Sequence, residues 1–195
     1  MIVWRHEDDG CPYAEGEEQG LLGNLVGVRE EVLRAAVDAG KPIISEKPLT
    51  QDLAEGERMV EYAGGSNVPF AVHQNYRWMT MNFLAAHIVR KGLIGEPFFA
   101  GIEIYSRQDV ELKDHHFYSI CDNFLTVQWD NHLSDLLRYY TGHDPVRVFA
   151  RSGRSKGQHF RSDNLLTVIT DFGEGLTGHV LHSAVSYTHL TLPTN

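Results

Sequence analysis

Cysteine is scarce in this sequence: Cys11 and Cys121 are its only two, they lie far apart, and they form neither a CxxC pair nor a zinc-ribbon spacing. A disulfide framework and a structural metal site are therefore not indicated, and the cytoplasm is the expected compartment. No apolar run approaches the roughly 18 residues needed to span a bilayer, and the first residues do not pair a basic stretch with an apolar one as a secretory signal does. Neither export nor a membrane partner is expected. Basic residues are outnumbered as well, with 17 Lys and Arg against 26 Asp and Glu and a formal charge of −9. Such a chain repels phosphate backbones and anionic lipid surfaces unless a local patch reverses the field. The one basic cluster, Arg147, Arg151, Arg154 and Lys156 with Arg161 nearby, reads as solvated strand and loop surface rather than a nucleic-acid contact.

What is present is ordinary globular material: 195 residues, 42% apolar and 22% charged, with no low-complexity tract, which suits a folded soluble chain with one core or two small ones. Residues 1–27 show no sustained periodicity and stay unassigned. From Val28 the pattern turns helical, with Val28, Val32, Leu33 and Ala36 on one face and Gly40 at the place of a left-handed cap. Pro42 to Ser45 reads as a strand buried on both faces in a parallel sheet, with Glu46, Lys47 and Pro48 at its carboxyl end. Asp52 and Glu55 have capping-box spacing ahead of a helix whose apolar stripe is Leu53, Met59, Val60 and Ala63. Val68 to Val72 reads as the next strand. Helix, strand, helix, strand suggests the closing part of a doubly wound α/β sheet, and this first domain is expected to finish near Asn75.

Further on, Phe83, Leu84, His87 and Ile88 mark a helix stopped by Gly92, and Phe98 to Tyr105 alternates like a strand. Leu125 to Tyr140 carries apolar residues at helical spacing, with Gly142 as the stop. Val146 to Ala150, Leu165 to Phe172 and Leu176 to Ser183 are strand candidates, the last two joined through Gly173-Glu174-Gly175 as an antiparallel hairpin. Val185 to Thr194 resembles the translation of a transposase adapter used in shotgun library preparation. Residues 185–195 are accordingly set aside as an expected artefact, which would also place the true C-terminal part outside this sequence.

Four motifs occur in a telling order. AGKPIISEKPL at Ala39 to Leu49, HQNYRW at His73 to Trp78, KGLIGEPFFA at Lys91 to Ala100 and WDNHLSDLLRYYTG at Trp129 to Gly142 together resemble the Gfo/Idh/MocA family of oxidoreductases over roughly residues 28 to 184. The resemblance implies an α/β fold: the closing part of a Rossmann NAD(P)-binding domain at 28–75, then at 76–184 an α/β substrate domain with an open, mainly antiparallel sheet. It implies hydride transfer between NAD or NADP and a secondary alcohol of a small-molecule sugar, polyol or cyclitol. It also implies a homo-oligomer built through the open face of that sheet. Two other activities stay open: glycoside cleavage driven by transient oxidation on tightly held NAD, and a non-catalytic sugar- or nucleotide-binding homologue.

Alcohol oxidation needs a positioned cofactor and a proton acceptor. By the resemblance, Lys47 polarises the substrate oxygen, Glu46, Lys47 and Pro48 line the cofactor side with a cis peptide before Pro48, and His132 takes the hydroxyl proton. A surface lysine paired with Glu46 and a core histidine with one hydrogen bond are the bland alternatives. The family often has Asp four residues before this histidine; here Gln128 stands there, which puts the full proton relay in doubt. Asp135 matches the family's following Asp, and Asp130 is expected nearly opposite His132 on a regular helix. Asn75 and Arg77 are candidate substrate residues, although an interdomain salt bridge explains Arg77 equally well; Tyr76 and Trp78 stack on a sugar or simply pack. The His115-His116 pair with Asp114 is not expected to hold a metal. The fingerprint GxGxxG does not occur, since Gly20, Gly23 and Gly27 are wrongly spaced. The expectation is that these pieces lie upstream and that the 195 residues alone bind cofactor weakly and are inactive.

Overall fold

The computed structural model describes residues 29–115 and 122–185. Cys11, Cys121, His116 and most of the adapter-like tail therefore lie outside the described residues. The chain divides after Gln74 into two compact units.

In the first unit, α1 (Arg29–Asp38) begins with Glu30 and Glu31, whose charges suit the positive end of the helix. It stops at Gly40, whose φ of 65° is the left-handed turn expected from the sequence. β1 (Ile43–Ser45) pairs in parallel with β2 (Phe70–Val72), Ile43 opposite Phe70 and Ser45 opposite Val72. Between them runs α2 (Leu53–Gly64), capped by the Asp52 carboxylate, which accepts from the Glu55 N–H at 2.8 Å. The reciprocal arm of the box passes through Thr50: its hydroxyl accepts from the Asp52 N–H and donates to the Glu55 carboxylate. Leu33, Ala36, Ile43, Met59 and Ala63 form the core of this unit. Ile44, expected to be buried, is instead 49% exposed, and Leu53 and Val60 point outward too. The two helices pack on each other beside Ile43, and among the described residues of this unit none covers the side of the sheet that carries Ile44.

The second unit opens with a 3-10 turn, Asn75–Trp78, followed by α3 (Thr80–Arg90), β3 (Phe99–Tyr105) and the short α4 (Gln108–Glu111). A π-helical segment, Leu125–Asp130, runs into α5 (Asn131–Thr141), which ends at Gly142 with φ 74°. β4 (Arg147–Gly153), β5 (Leu165–Asp171) and β6 (Thr177–Ser183) complete a sheet of order β3-β6-β5-β4. β6 pairs in parallel with β3 and antiparallel with β5, and β5 pairs antiparallel with β4, so the sheet is mainly antiparallel as expected. Gly173 and Gly175 both have positive φ in the β5–β6 turn, which explains the Gly-Glu-Gly sequence there.

Alternation along these strands decides which face is covered. Leu166, Val168, Val180 and Phe172 pack under Leu133 and Leu137 of α5, together with Phe124, Leu125 and Phe160. Phe99, Tyr105, Phe149, Leu165 and Ile169 remain exposed on the other face. The helix sits close because Gly178 gives it room: a Cβ there would lie 2.6 Å from the Phe172 ring and 3.0 Å from Leu137, both buried.

One regular helix over 125–140 was the sequence expectation, and the π segment departs from it. π geometry places an extra residue in the turn, so side chains three apart no longer share a face as they do in an α-helix. The Asn131 amide donates to the Val127 carbonyl within this wider turn. Apolar periodicity continues through it, which is why the sequence gives no warning.

Beneath the segment, the Trp129 ring meets the buried His182 ring edge-on at 5.4 Å. Among the described residues, neither ring nitrogen of His182 has a hydrogen-bond partner. Burial pushes its pKa from the ordinary 6.5 down to about 4, so the folded state holds it neutral. The unfolded chain binds this proton first, so the stability it contributes is full above about pH 6.5 and is lost as pH falls toward 4. Between pH 7 and pH 5 the wild type is expected to lose about 2 kcal/mol more than a His182→Leu variant, read from urea midpoints at the two pH values. Equal losses in both proteins would contradict this account.

Candidate functional site

The carboxyl ends of parallel strands are where open α/β sheets offer ligands a crevice, because the chain turns away from the sheet there. β1 ends at Ser45, and Glu46 follows with its carbonyl accepting from Arg29 Nη1 at 3.2 Å. The Glu46 carboxylate is 2.9 Å from His73 Nδ1 and accepts from the Lys47 N–H at 3.3 Å, while the His73 N–H donates to the Ser45 carbonyl at 2.7 Å. Glu46 thus ties the ends of the two parallel strands together. The Lys47–Pro48 bond is cis, Pro48 is buried and Lys47 is half-buried. Burial holds the Lys47 ammonium below the usual lysine range, opposed by the Glu46 charge and reinforced by Arg29. A partly desolvated cation at this place suits a hydrogen bond to a developing oxyanion. The turn thus fits the reactive end of a dinucleotide and its substrate, while the pyrophosphate-cradling glycine pattern has no counterpart in the sequence.

In the second unit the 3-10 turn is clamped to α5. Arg77 forms a two-pronged ion pair with Asp135, Nε to Oδ2 at 2.6 Å and Nη2 to Oδ1 at 2.5 Å. One residue earlier, the Tyr76 ring lies on the His132 ring, centroids 4.2 Å apart and planes 10° from parallel. The Tyr76 carbonyl accepts from Asn82 Nδ2 at 2.8 Å, and Asn82 Oδ1 accepts from the Tyr140 hydroxyl at 2.6 Å. Two guanidinium groups lie over the Tyr139 ring, Arg77 at 5.3 Å and Arg90 at 4.6 Å from its centroid. Two consecutive residues of the turn therefore meet two residues of α5 spaced three apart, which lie on one helix face.

Of the expected site residues, His132, Arg77 and Asp135 come together in this network, His132 only 3% exposed. The partner of Arg77 lies in its own unit, so the interdomain ion pair considered from sequence is replaced by one between Arg77 and α5. Asn75 is exposed at the start of the turn, and Gln128 lies half-buried in the π segment. Asp130 accepts from the Ser134 hydroxyl at 2.9 Å, and burial pushes its carboxyl up, partly offset by that hydrogen bond. Of the two readings of Tyr76, packing is what the described residues show, but its partner His132 and the supporting Asn82 and Tyr140 were not foreseen; the available signal was the adjacency of Tyr76 to Arg77 set against the three-residue spacing of His132 and Asp135. Among the described residues, no group of three His, Cys, Asp or Glu side chains is arranged to hold a metal ion. No described helix is long and apolar enough to cross a membrane.

Comparison with known proteins gives these residues a context. No family model matches the chain. A D-apiose dehydrogenase from Rhizobium rhizogenes is 27% identical over 180 residues, which are 92% of this chain and 51% of that protein. The chain thus spans about half the length of this relative. An oxidoreductase from Agrobacterium radiobacter, crystallised with NAD+, L-tartaric acid and magnesium, superposes with a TM-score of 0.76 at 25% identity, covering 83% of this chain and 46% of that one. An inositol dehydrogenase homologue from Azotobacter vinelandii, complexed with NAD+, shares the fold with a TM-score of 0.70 at 18% identity, covering 85% of this chain and 45% of that one.

The clamp has a measurable signature. Arg77→Ala leaves the half-buried Asp135 carboxylate without its bidentate donor and is expected to cost about 1–3 kcal/mol of stability by urea denaturation. Arg77→Lys restores only part, because an ammonium cannot reproduce the planar fork. Full recovery by lysine would show that charge alone holds the turn.

Proposed function

We propose that this chain, which has the Gfo/Idh/MocA-type fold of its dehydrogenase homologues, forms part of a cytoplasmic NAD(P)-dependent dehydrogenase acting on a secondary alcohol of a sugar, polyol or cyclitol. Residues 28–75 contribute to the dinucleotide-binding domain and 76–184 to the substrate domain. The observation that carries the reading is the half-buried Lys47 ammonium at the carboxyl end of a parallel strand pair. NAD is the cofactor favoured by the company the fold keeps, and NADP is the other arm of the test.

Bound nicotinamide supplies the acceptor for the hydride that leaves the carbinol carbon. Lys47 donates a hydrogen bond to the carbinol oxygen and stabilises the negative charge that grows there. Neutral His132 accepts the hydroxyl proton and becomes imidazolium, leaving a ketone. Glu46, with Pro48, holds the turn that aims Lys47. Gln128 contributes an amide to substrate hydroxyls, and Asn75 contributes a second. The Arg77–Asp135 pair fixes the substrate-side turn. Gln128 in place of an acid favours one second reading, a binding protein that holds nucleotide and sugar without turnover.

The decisive experiment is an NADH-release assay on the complete enzyme with a panel of aldoses, polyols and cyclitols, paired with calorimetric titration of the same ligands. Lys47→Ala and His132→Asn are each expected to lower kcat at least about 100-fold. Binding of sugar and NAD(H) without turnover in the unmutated protein would select the non-catalytic reading. Turnover of a glycoside without free NADH would select glycoside cleavage.

The apolar side chains on the open sheet face, Phe99, Tyr105, Phe149, Leu165 and Ile169, form the surface proposed to pair copies of the enzyme. Phe149→Glu is expected to halve or quarter the mass of the complete protein in light scattering. An unmutated protein that is monomeric would remove this part of the proposal.

A further inference from the structure

The imidazole of His132 is almost enclosed, and its proton chemistry depends on what stabilises the cation it would form. Elements packed against α5 are the 3-10 turn, α3, the π segment, β3, β6 and β5, whose one titratable residue, Asp171, pairs with Arg147. Their titratable and charged groups are Tyr76 and Arg77 in the turn, His87 and Arg90 on α3, Asp130 in the π segment, Glu103 and Tyr105 on β3, and His179 and His182 on β6. α5 itself adds Asp135, Arg138, Tyr139 and Tyr140. Most of these are engaged elsewhere. Arg77 and Asp135 pair with each other, Arg138 pairs with Asp144, Arg90 lies over Tyr139, and Asp130 accepts from Ser134. Glu103 accepts from the Tyr105 hydroxyl, and both alternate with the helix-facing Ile102 and Ile104. His179 is likewise on the opposite side of its strand from the buried Val180 and His182, and His182 is uncharged near neutral pH.

Lying on the imidazole face is the Tyr76 ring, nearly parallel and 4.2 Å away. An aromatic face within about 6 Å attracts a cation through its quadrupole, more strongly where water is excluded. The ring is also hard to move. Its backbone carbonyl is held by Asn82, and the next residue is pinned to α5 by two hydrogen bonds. We propose that Tyr76 is a positioning residue for His132: its ring fixes the imidazole plane and stabilises the imidazolium formed when a substrate proton is taken. Part of the charge stabilisation that an acid at position 128 would provide therefore comes from a π face supplied by the turn. The inference rests on the proton-acceptor reading of His132, but its central observable does not need turnover.

The test is an NMR titration of ring-labelled histidine in the 195-residue chain, with His132→Asn used to assign the resonance. In the wild type His132 titrates; in Tyr76→Leu, which keeps bulk and removes the π face, its midpoint falls by about half a unit to one unit. Tyr76→Phe keeps the face and holds the midpoint near that of the wild type, while Tyr76→Trp raises it. If Tyr76→Leu proves unfolded, the Phe and Trp pair decides alone. An unchanged midpoint across folded variants, or a His132 that stays neutral down to pH 5, would overturn the proposal. In the complete enzyme the acid limb of kcat/KM moves to lower pH in the variant whose midpoint falls, because the base must be neutral to act. A midpoint that moves with Tyr76 while His132→Asn leaves turnover intact would sink the catalytic reading of His132 and leave the stacking inference standing.

Discussion

The second unit depends on the seating of α5 over its sheet. Leu133 and Leu137 reach the strands because Gly178 presents no side chain beneath them, and Phe172 fills the space that remains. Interiors are packed densely enough that such contacts set the level of the helix above the sheet. The positions of His132 and Asp135 follow from that level, since both ride on the same helix. The 3-10 turn then takes its position from α5 in turn, through Tyr76 on His132 and Arg77 on Asp135. A hydrophobic contact on one side of the helix thereby sets the geometry of a polar network on another.

The two clusters around Lys47 and His132 use different means to manage charge. Around Lys47 the means are desolvation, the adjacent Glu46 carboxylate and the Arg29 guanidinium from the first helix, so charges of both signs act on it. Around His132 they are burial, an aromatic face and a neutralised ion pair one turn along. In the proposed reaction Lys47 stays cationic and His132 changes charge, roles that call for different surroundings: the first gains from fixed counter-charge, the second from an environment that tolerates both states.

Much of the fold was legible because it follows from local rules. The left-handed stops at Gly40 and Gly142, the Asp52 cap, the alternation of β3 and the β5–β6 hairpin each rest on a few neighbouring residues. The parallel pairing of β1 and β2 was legible from the order of elements. The exposure of Ile44 was not, because a short apolar strand looks the same whether one face or both are covered. The π segment was hidden for a related reason: apolar spacing of three and four residues survives one wide turn. At the site, residue types were legible and pairings were not. Arg77 and Asp135 stood out through the motifs HQNYRW and WDNHLSDLLRYYTG, yet only the three-dimensional arrangement shows that they satisfy one another and leave the adjacent Tyr76 over the imidazole.

β4 lies at one edge of the sheet, exposed along nearly its whole length, and its ladder to β5 is its sole strand pairing among the described residues. A strand with so little covering it opens by local fluctuation rather than by global unfolding, since few apolar contacts are lost when it leaves. Its amide protons would exchange with solvent long before those of β6, which is flanked on both sides and capped by a helix. The sheet therefore carries a gradient of persistence, looser at β4 and firmer at β6 beneath α5.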